Sequence, residues 1–257
     1  VVRRLLISGM HVHVGIHDPD VRIDLMSQVS YFLPHLLALS TSSPFWHSED
    51  TGLKSYRMSV FKALPRTGLP EHFNSWAEYE RHVNVLVEAG IFEDASKVWW
   101  DIRPSARYPT LEMRIADICT TLEDGLAVAA VYTSLLSMLF TKRQLNQRWR
   151  EYSNFLIAEN LWRAQRYGIS EGLMDFGVGQ LVPFPQLVEE LIEILAPEAE
   201  RLGCLAEVEH IREIVRRGTS SDRQLAVYEK ALAQGNDPDE ALKRVVDFLV
   251  EETKVGL

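Results

Sequence analysis

Cysteine is scarce: the 257 residues contain two, Cys119 and Cys204. Two thiols cannot build a disulfide framework, and both sit in apolar helical patterns, so buried free thiols in a reducing compartment are expected. Glycine-rich phosphate loops are missing as well. No G-x-G-x-x-G and no Walker-type run occurs, which argues against the dinucleotide and P-loop ways of holding a nucleotide. There is no G-x-S-x-G, and Cys119 has no partner signature, so no protein nucleophile stands out. The longest apolar stretch, residues 126–140, is short for a bilayer and is interrupted by Tyr132, Thr133, Ser134 and Ser137. The opening Val1-Val2-Arg3-Arg4 lacks a signal-peptide pattern. A cytoplasmic protein with no membrane partner is the expectation. Positive charge is also in short supply: 27 Lys and Arg face 36 Asp and Glu, a net charge of −9. Such a chain is a poor polyanion binder, so no nucleic-acid partner is expected.

The acid is unevenly spread. Residues 183–257 hold 16 acidic and 9 basic side chains, a net of −7, whereas residues 1–182 hold 20 and 18, a net of −2. A small anionic substrate is therefore compatible with the first two-thirds. With 46% hydrophobic and 25% charged residues, the chain has the composition of a globular protein, read here as a single catalytic domain over 1–257. Alternation predicts a strand over 7–16, with Met10, Val12, Val14 and Ile16 on one face and His11, His13 and Gly15 on the other. Helical spacing follows over 20–39, then loops over 40–70 with a short strand at 56–61, and a helix over 76–89. Strands at 98–103 and 110–116 flank a turn-prone segment, and an apolar helix spans 122–139. Beyond Lys142 no strand is expected, only helices at 146–167, 184–202, 206–217, 221–234 and 237–252. Strands first and helices afterwards mean α+β, with an antiparallel or mixed sheet in 1–145 and a helical part in 146–257.

Two strand motifs carry chemistry. In GMHVHVGI, at 9–16, two imidazoles two apart project from one face, an arrangement suited to a metal or to one ligand and one substrate contact. The alternative is a hydrogen-bonded polar cluster beneath a loop. In TLEMR, at 110–114, Glu112 and Arg114 share a strand face. They either pair with neighbouring strands or place a carboxylate for Mg²⁺ beside a guanidinium for phosphate. Together the two motifs describe a polar sheet face able to hold a metal–phosphate complex. Arg57, Arg66, Arg103, Arg163 and Arg166 each lie among aromatic, Gly or Pro neighbours, as carboxylate or phosphate grips or as loop braces. Ser221, in GTSSDRQ, reads as a helix cap.

These residues resemble a known family. GMHVHVGI, LALSTSSPFW, TGLKSYR, LPRTGLP, VWWDIRPS, YPTLEMRIAD, ENLWRAQRYG and GTSSDRQ occur in this order in the type-2 glutamate–cysteine ligases, and the resemblance is strongest to the YbdK-type carboxylate–amine ligases. It implies a glutamine synthetase-like fold and an ATP-dependent ligase. In that reaction a carboxylate, typically the γ-carboxylate of glutamate, takes the γ-phosphoryl group of ATP, and an amine such as that of cysteine then displaces phosphate. It further implies that His11 and Glu112 are Mg²⁺ ligands, that Arg114 neutralises the transferring phosphoryl group, and that His13 lies beside the glutamate site. Arg57, Arg103, Arg163 and Arg166 are its implied carboxylate or phosphate grips, and homo-oligomers are expected. No nucleophile is needed for such chemistry, which rests on positioning and charge neutralisation.

The chain departs from the family pattern at Pro109, where the family has Gly, and at His17, where it has an acidic residue. Family members also carry a segment ahead of residue 1 with an acidic cluster that supplies further metal ligands, so an N-terminal truncation is expected. That truncation makes a non-catalytic partner subunit one alternative. A metal-dependent amidohydrolase, which also opens with His-x-His on a strand, is another.

Overall fold

The alternating stretch becomes β1 (Val12–Gly15) in a computed structural model that describes residues 5–256. Val1–Arg4, read above for a leader pattern, lie outside the described residues. Asp18 caps α1 (Pro19–Val29): its carboxylate accepts from the N–H groups of Asp20 and Val21 at 2.9 and 3.2 Å. Pro19 occupies the first turn, where no N–H is needed. The single helix expected over 20–39 is in fact two. A 3₁₀ turn at Ser30–Phe32 separates α1 from α2 (Leu33–Ser40), where Pro34 removes a ladder donor. Every residue of α2 is buried, which suits a helix apolar on nearly all sides.

The short strands β2 (Phe45–Trp46) and β3 (Glu49–Asp50) pair antiparallel. The segment expected as a strand at 56–61 is instead α3 (Tyr56–Phe61). Its buried residues, Arg57, Met58, Val60 and Phe61, fall at helical spacing, and six residues of β-prone composition do not decide between the two periods. β4 (Thr67–Gly68), α4 (Trp76–Glu88) and β5 (Trp99–Trp100) follow, with β4 parallel to β5. Then come β6 (Ile102–Pro104), β7 (Thr110–Met113) and α5 (Leu122–Gln144). At 23 residues, α5 is long and apolar enough to cross a membrane by length and composition, longer than the interrupted stretch at 126–140; 61% of its most apolar window is buried inside the fold.

Four further expectations are corrected in the second half. α6 (Asn154–Tyr167) starts later than residue 146. Trp149 docks on the 3₁₀ turn instead, its N–H donating to Gln28 Oε1 at 2.7 Å and its ring 5.0 Å from that of Phe32. Strands do occur beyond Lys142: β8 (Leu173–Asp175) and β9 (Gln180–Val182) form a hairpin. Three-residue strands are too short to show a period. The hairpin is pinned by Asn160, whose amide exchanges two 2.8 Å hydrogen bonds with the Met174 backbone. A Cβ at Gly172 would lie 2.1 Å from the Val182 carbonyl oxygen, so only glycine fits there. After α7 (Phe184–Leu202), the helix expected over 206–217 breaks at His210 into α8 (Leu205–Glu209) and α9 (Ile211–Arg217). α10 (Ser220–Ala233) is capped by Thr219, not Ser221, in a reciprocal exchange with Asp222. α11 (Pro238–Glu252) packs against α10.

The sheet that matters is three-stranded and antiparallel, in the order β1-β7-β6. Leu111, Met113 and Ile102 are fully buried, and α1 and α5 cover that apolar face. The Tyr132 hydroxyl of α5 donates to the Leu111 carbonyl at 3.2 Å. The architecture is the expected α+β fold, with a small antiparallel sheet, a polar face and a helix-rich second half. It is not the parallel barrel of an amidohydrolase. His210, the sole histidine beyond position 82, joins α8 to α9 and sits 2.9 Å from Asp124.

Candidate active site

The strand register assembles the polar face. His13 lies opposite Glu112 on β7, and Glu112 lies opposite Arg103 on β6. One step along the ladder, Met10 N–H donates to the Ala116 carbonyl at 3.1 Å and Arg114 N–H to the Asp101 carbonyl at 2.8 Å. The same register therefore sets His11, Arg114 and Asp101 in a second row. Residues two apart on a strand share a face, so two rows of three ionisable residues lie side by side.

Glu112 is the hub. Only 3% of it is exposed, yet both of its oxygens are occupied. Oε1 accepts from Arg114 Nη1 at 2.7 Å and lies 3.1 Å from His11 Nδ1 and 3.7 Å from His13 Nε2. Oε2 accepts from Arg103 Nε at 2.9 Å. Burial alone would raise its carboxyl, but His11, Arg103 and Arg114 outweigh burial and hold it far below the usual carboxylate range. Arg103 is fixed by two further acceptors, the carbonyls of Ser96, at 2.9 Å, and Val98. His13 is oriented through Nδ1, 2.9 Å from Thr110 Oγ1. Its ring meets that of Tyr108 edge-on at 6.4 Å. Tyr108 also lines an open cavity of about 520 Å³ between the β6–β7 turn and α4, with Arg22, Trp76, Tyr79 and Arg107.

Beneath this face runs a buried scaffold that the sequence reading missed. Asp117 has no exposed surface and accepts from Ser42 N–H, Ser43 Oγ and Ser55 Oγ at 3.1, 2.8 and 2.9 Å, and from Arg57 Nη1 at 3.5 Å. Arg57, expected as a substrate grip, spends its guanidinium inside the protein: it donates to the carbonyls of Ile115 at 3.0 Å and Arg114 at 2.9 Å. It passes so close to Gly9 that a Cβ there would lie 2.3 Å from Nη2, which accounts for the glycine that opens GMHVH. The same layer reaches the helical half, where Gln224 Nε2 donates to the Ser42 carbonyl at 2.9 Å and the Thr41 and Thr219 hydroxyls bond at 2.9 Å.

The structure thus brings His11, His13, Arg103, Glu112 and Arg114 together and leaves Arg163 and Arg166 outside the cluster. Arg163 braces the β8–β9 hairpin, donating to the Gly172 carbonyl at 2.8 Å, and Arg166 is exposed, over the Tyr167 ring at 5.5 Å. Arg66 donates to the Lys97 carbonyl at 2.9 Å. Cys119 offers no thiolate, because burial pushes its thiol up to about 12. Asp101 is the second missed residue. Its signal is its place two residues before Arg103, just ahead of β6. It is fully buried, and neither carboxylate oxygen has a hydrogen-bond partner. Burial pushes its carboxyl up to about 6 although the Lys62, Arg57 and Arg114 cations pull it down.

Among the described residues no three His, Cys, Asp or Glu side chains converge as a metal cage. Glu112 provides a carboxylate oxygen of the type a hard cation accepts, and His11 a neighbouring imidazole nitrogen. A partial set of this kind fits Mg²⁺, which keeps water and phosphate oxygens in its shell, and does not fit a closed structural zinc site.

The chain is similar to known proteins along nearly its whole length. The model of glutamate–cysteine ligase family 2 matches residues 1–247. A Rhodospirillum rubrum protein named "Putative glutamate–cysteine ligase 2" is 65% identical over 257 residues, all of this chain and 66% of that one. A Ruegeria pomeroyi protein of the same name is 54% identical over the same share of each chain. The chain thus spans 66% of the length of these two curated relatives. Among solved structures, glutamate–cysteine ligase from Francisella tularensis in complex with AMP superposes with a TM-score of 0.57 at 14% identity, over 93% of this chain and 59% of that one. That likeness shows the fold.

Proposed function

The chain belongs to glutamate–cysteine ligase family 2, and from that premise we propose that its polar sheet face is the phosphoryl-transfer site of an ATP-dependent carboxylate–amine ligase. The observation that carries the proposal is the Glu112 hub, a buried carboxylate ringed by two guanidiniums and two imidazoles. Such a site concentrates positive charge where a nucleotide triphosphate places negative charge, and holds the donors fixed before the substrates arrive.

In this reading the glutamate γ-carboxylate oxygen attacks the γ-phosphorus of ATP, the bond to the bridging oxygen breaks, and ADP leaves with that electron pair. The amine nitrogen then attacks the acyl carbon, the acyl–oxygen bond breaks, phosphate departs, and the amine loses a proton to solvent or phosphate. Arg114 and Arg103 face the transferring group and the substrate carboxylate. His13, held by Thr110, orients the carboxylate side. Glu112 and His11 would hold Mg²⁺, which when bound supplies charge neutralisation on phosphate oxygens. The AMP in the Francisella tularensis relative supports an adenine nucleotide as one substrate. Glutamate and an amine such as cysteine are the other two.

The test is ADP release. It is expected to require glutamate, an amine and Mg²⁺ together, and to fall on the order of 10²–10³-fold in Arg114→Ala, the loss typical of one transition-state donor. Undiminished ADP release in a His11→Ala, Glu112→Ala double variant would sink the assignment.

A further inference from the structure

Two side chains in the second row of the polar face are mismatched in the same way. Asp101 is a fully buried carboxylate with neither oxygen partnered. Arg114, its neighbour across the ladder, has a buried Nε with no acceptor, and its Nη1 is committed to Glu112 at 2.7 Å and lies 3.4 Å from His11 Nδ1. An unpartnered buried carboxylate is costly, and here it stands one strand away from a guanidinium with unused donors. Directly opposed residues on paired strands have their Cβ atoms about 5 Å apart, well within the span of an arginine side chain.

The Arg114 backbone is held on both sides, whereas its guanidinium has one close partner, Glu112. The Arg114 carbonyl is held by Arg57 at 2.9 Å and its N–H by the Asp101 carbonyl at 2.8 Å. The guanidinium itself lies over the Phe61 ring at 5.9 Å, a surface without hydrogen-bonding groups to hold it. Arg103, the other cation on Glu112, is tied to two backbone carbonyls as well. Glu112 meanwhile has both oxygens engaged. A divalent cation arriving at Oε1 meets a guanidinium already there, and like charges at that distance repel strongly in a site of low polarisability.

We propose that Asp101 is a positioning residue that takes the Arg114 guanidinium off Glu112 when a divalent cation engages Glu112. The exchange rests on the ligase reading of Glu112 as a cation ligand. It leaves the number of charges on the face unchanged by moving one of them a single strand, from Glu112 to a carboxylate that was empty. Glu112 gains a free oxygen, Asp101 gains its missing donors, and Arg114 ends beside the cation instead of on its ligand.

Calorimetric titration of the full chain with Mn²⁺ tests this through a double-mutant cycle. Asp101→Asn is expected to weaken Mn²⁺ binding about tenfold or more, the size of one charge-assisted hydrogen bond. In an Arg114→Ala background, Asp101→Asn is expected to change nothing, because no guanidinium remains to be moved. Equal weakening in both backgrounds would mean that Asp101 acts on the cation directly and would overturn the proposal, as would unchanged binding in Asp101→Asn alone. A metal-free readout stands beside it: in a crystal structure of Glu112→Ala, Arg114 is expected at Asp101, and Arg114 left facing position 112 overturns the exchange. A folded wild-type chain that takes up no Mn²⁺ would count against Glu112 as a cation ligand, and the Glu112→Ala structure would still decide whether Asp101 captures Arg114.

Discussion

Asp117 and Asp101 lie near Arg114, one three residues along its own segment and one across the ladder, both with no exposed surface, and the fold treats them oppositely. Asp117 is surrounded by three donors from the 42–55 loop and by Arg57. Asp101 receives nothing. Equal burial therefore does not mean equal role. A saturated carboxylate fixes the parts around it, because any movement breaks several hydrogen bonds at once. An empty one keeps acceptors in reserve and lowers the stability of the resting state. The polar face is built from both kinds: a rigid layer under the strands, ending at the Arg114 backbone, and an adaptable layer on top, made of side chains that share too few partners.

The largest effect that would break this contrast is on the saturated side. Asp117→Ala removes the partner of a buried guanidinium and the acceptor of three further donors, and is expected to cost about 3–5 kcal/mol in urea unfolding. A loss under about 1 kcal/mol would mean that the buried layer is replaceable. Asp101→Asn is expected to act with the opposite sign, and in a pH-dependent way. The folded-state carboxyl titrates near 6, above the ordinary aspartate value of 3.8, so the folded chain binds the proton more tightly than the unfolded chain does. Its contribution is fully present below the unfolded value and is lost as pH rises through about 6. Wild type should lose about 2–3 kcal/mol of stability between pH 4 and pH 7 from this group, a slope that Asp101→Asn removes. Equal slopes in the two proteins would show that Asp101 finds a donor in solution. Gly9→Ala gives the smallest expected change. Its Cβ would meet the far end of Arg57, and shifting that side chain in a packed site should cost about 1–3 kcal/mol. A neutral outcome would show that Arg57 has room to spare.

Much of the adaptable layer was legible in the sequence, and little of the rigid one. His11 and His13 alternate with apolar residues, and Glu112 and Arg114 do the same, so each pair announces its own face by period alone. Their meeting at one carboxylate depends on the register of three strands separated by long stretches of chain, which no local pattern encodes. Arg103 stands out as a cation among aromatics, whereas Asp101, two residues earlier, has no residue pattern around it that marks a buried carboxylate. Arg57 shows the reverse error. Its surroundings suggested a grip on substrate, but Ile115, Arg114 and Asp117 engage its guanidinium inside the protein. The strand expected at 56–61 and the missed β8–β9 hairpin share a cause: in segments of three to six residues, burial against distant elements overrides local preference.

The hydrogen bond from Gln224 to the Ser42 carbonyl joins the helical half to the loop whose serines hold Asp117, and through Arg57 to the Arg114 backbone. The helices are consequently not a detachable module that evolution can exchange while leaving the chemistry alone. A substitution on α10 that tilts its first turn is inherited, link by link, by the backbone of Arg114. Variation in that helix is a remote dial on the site.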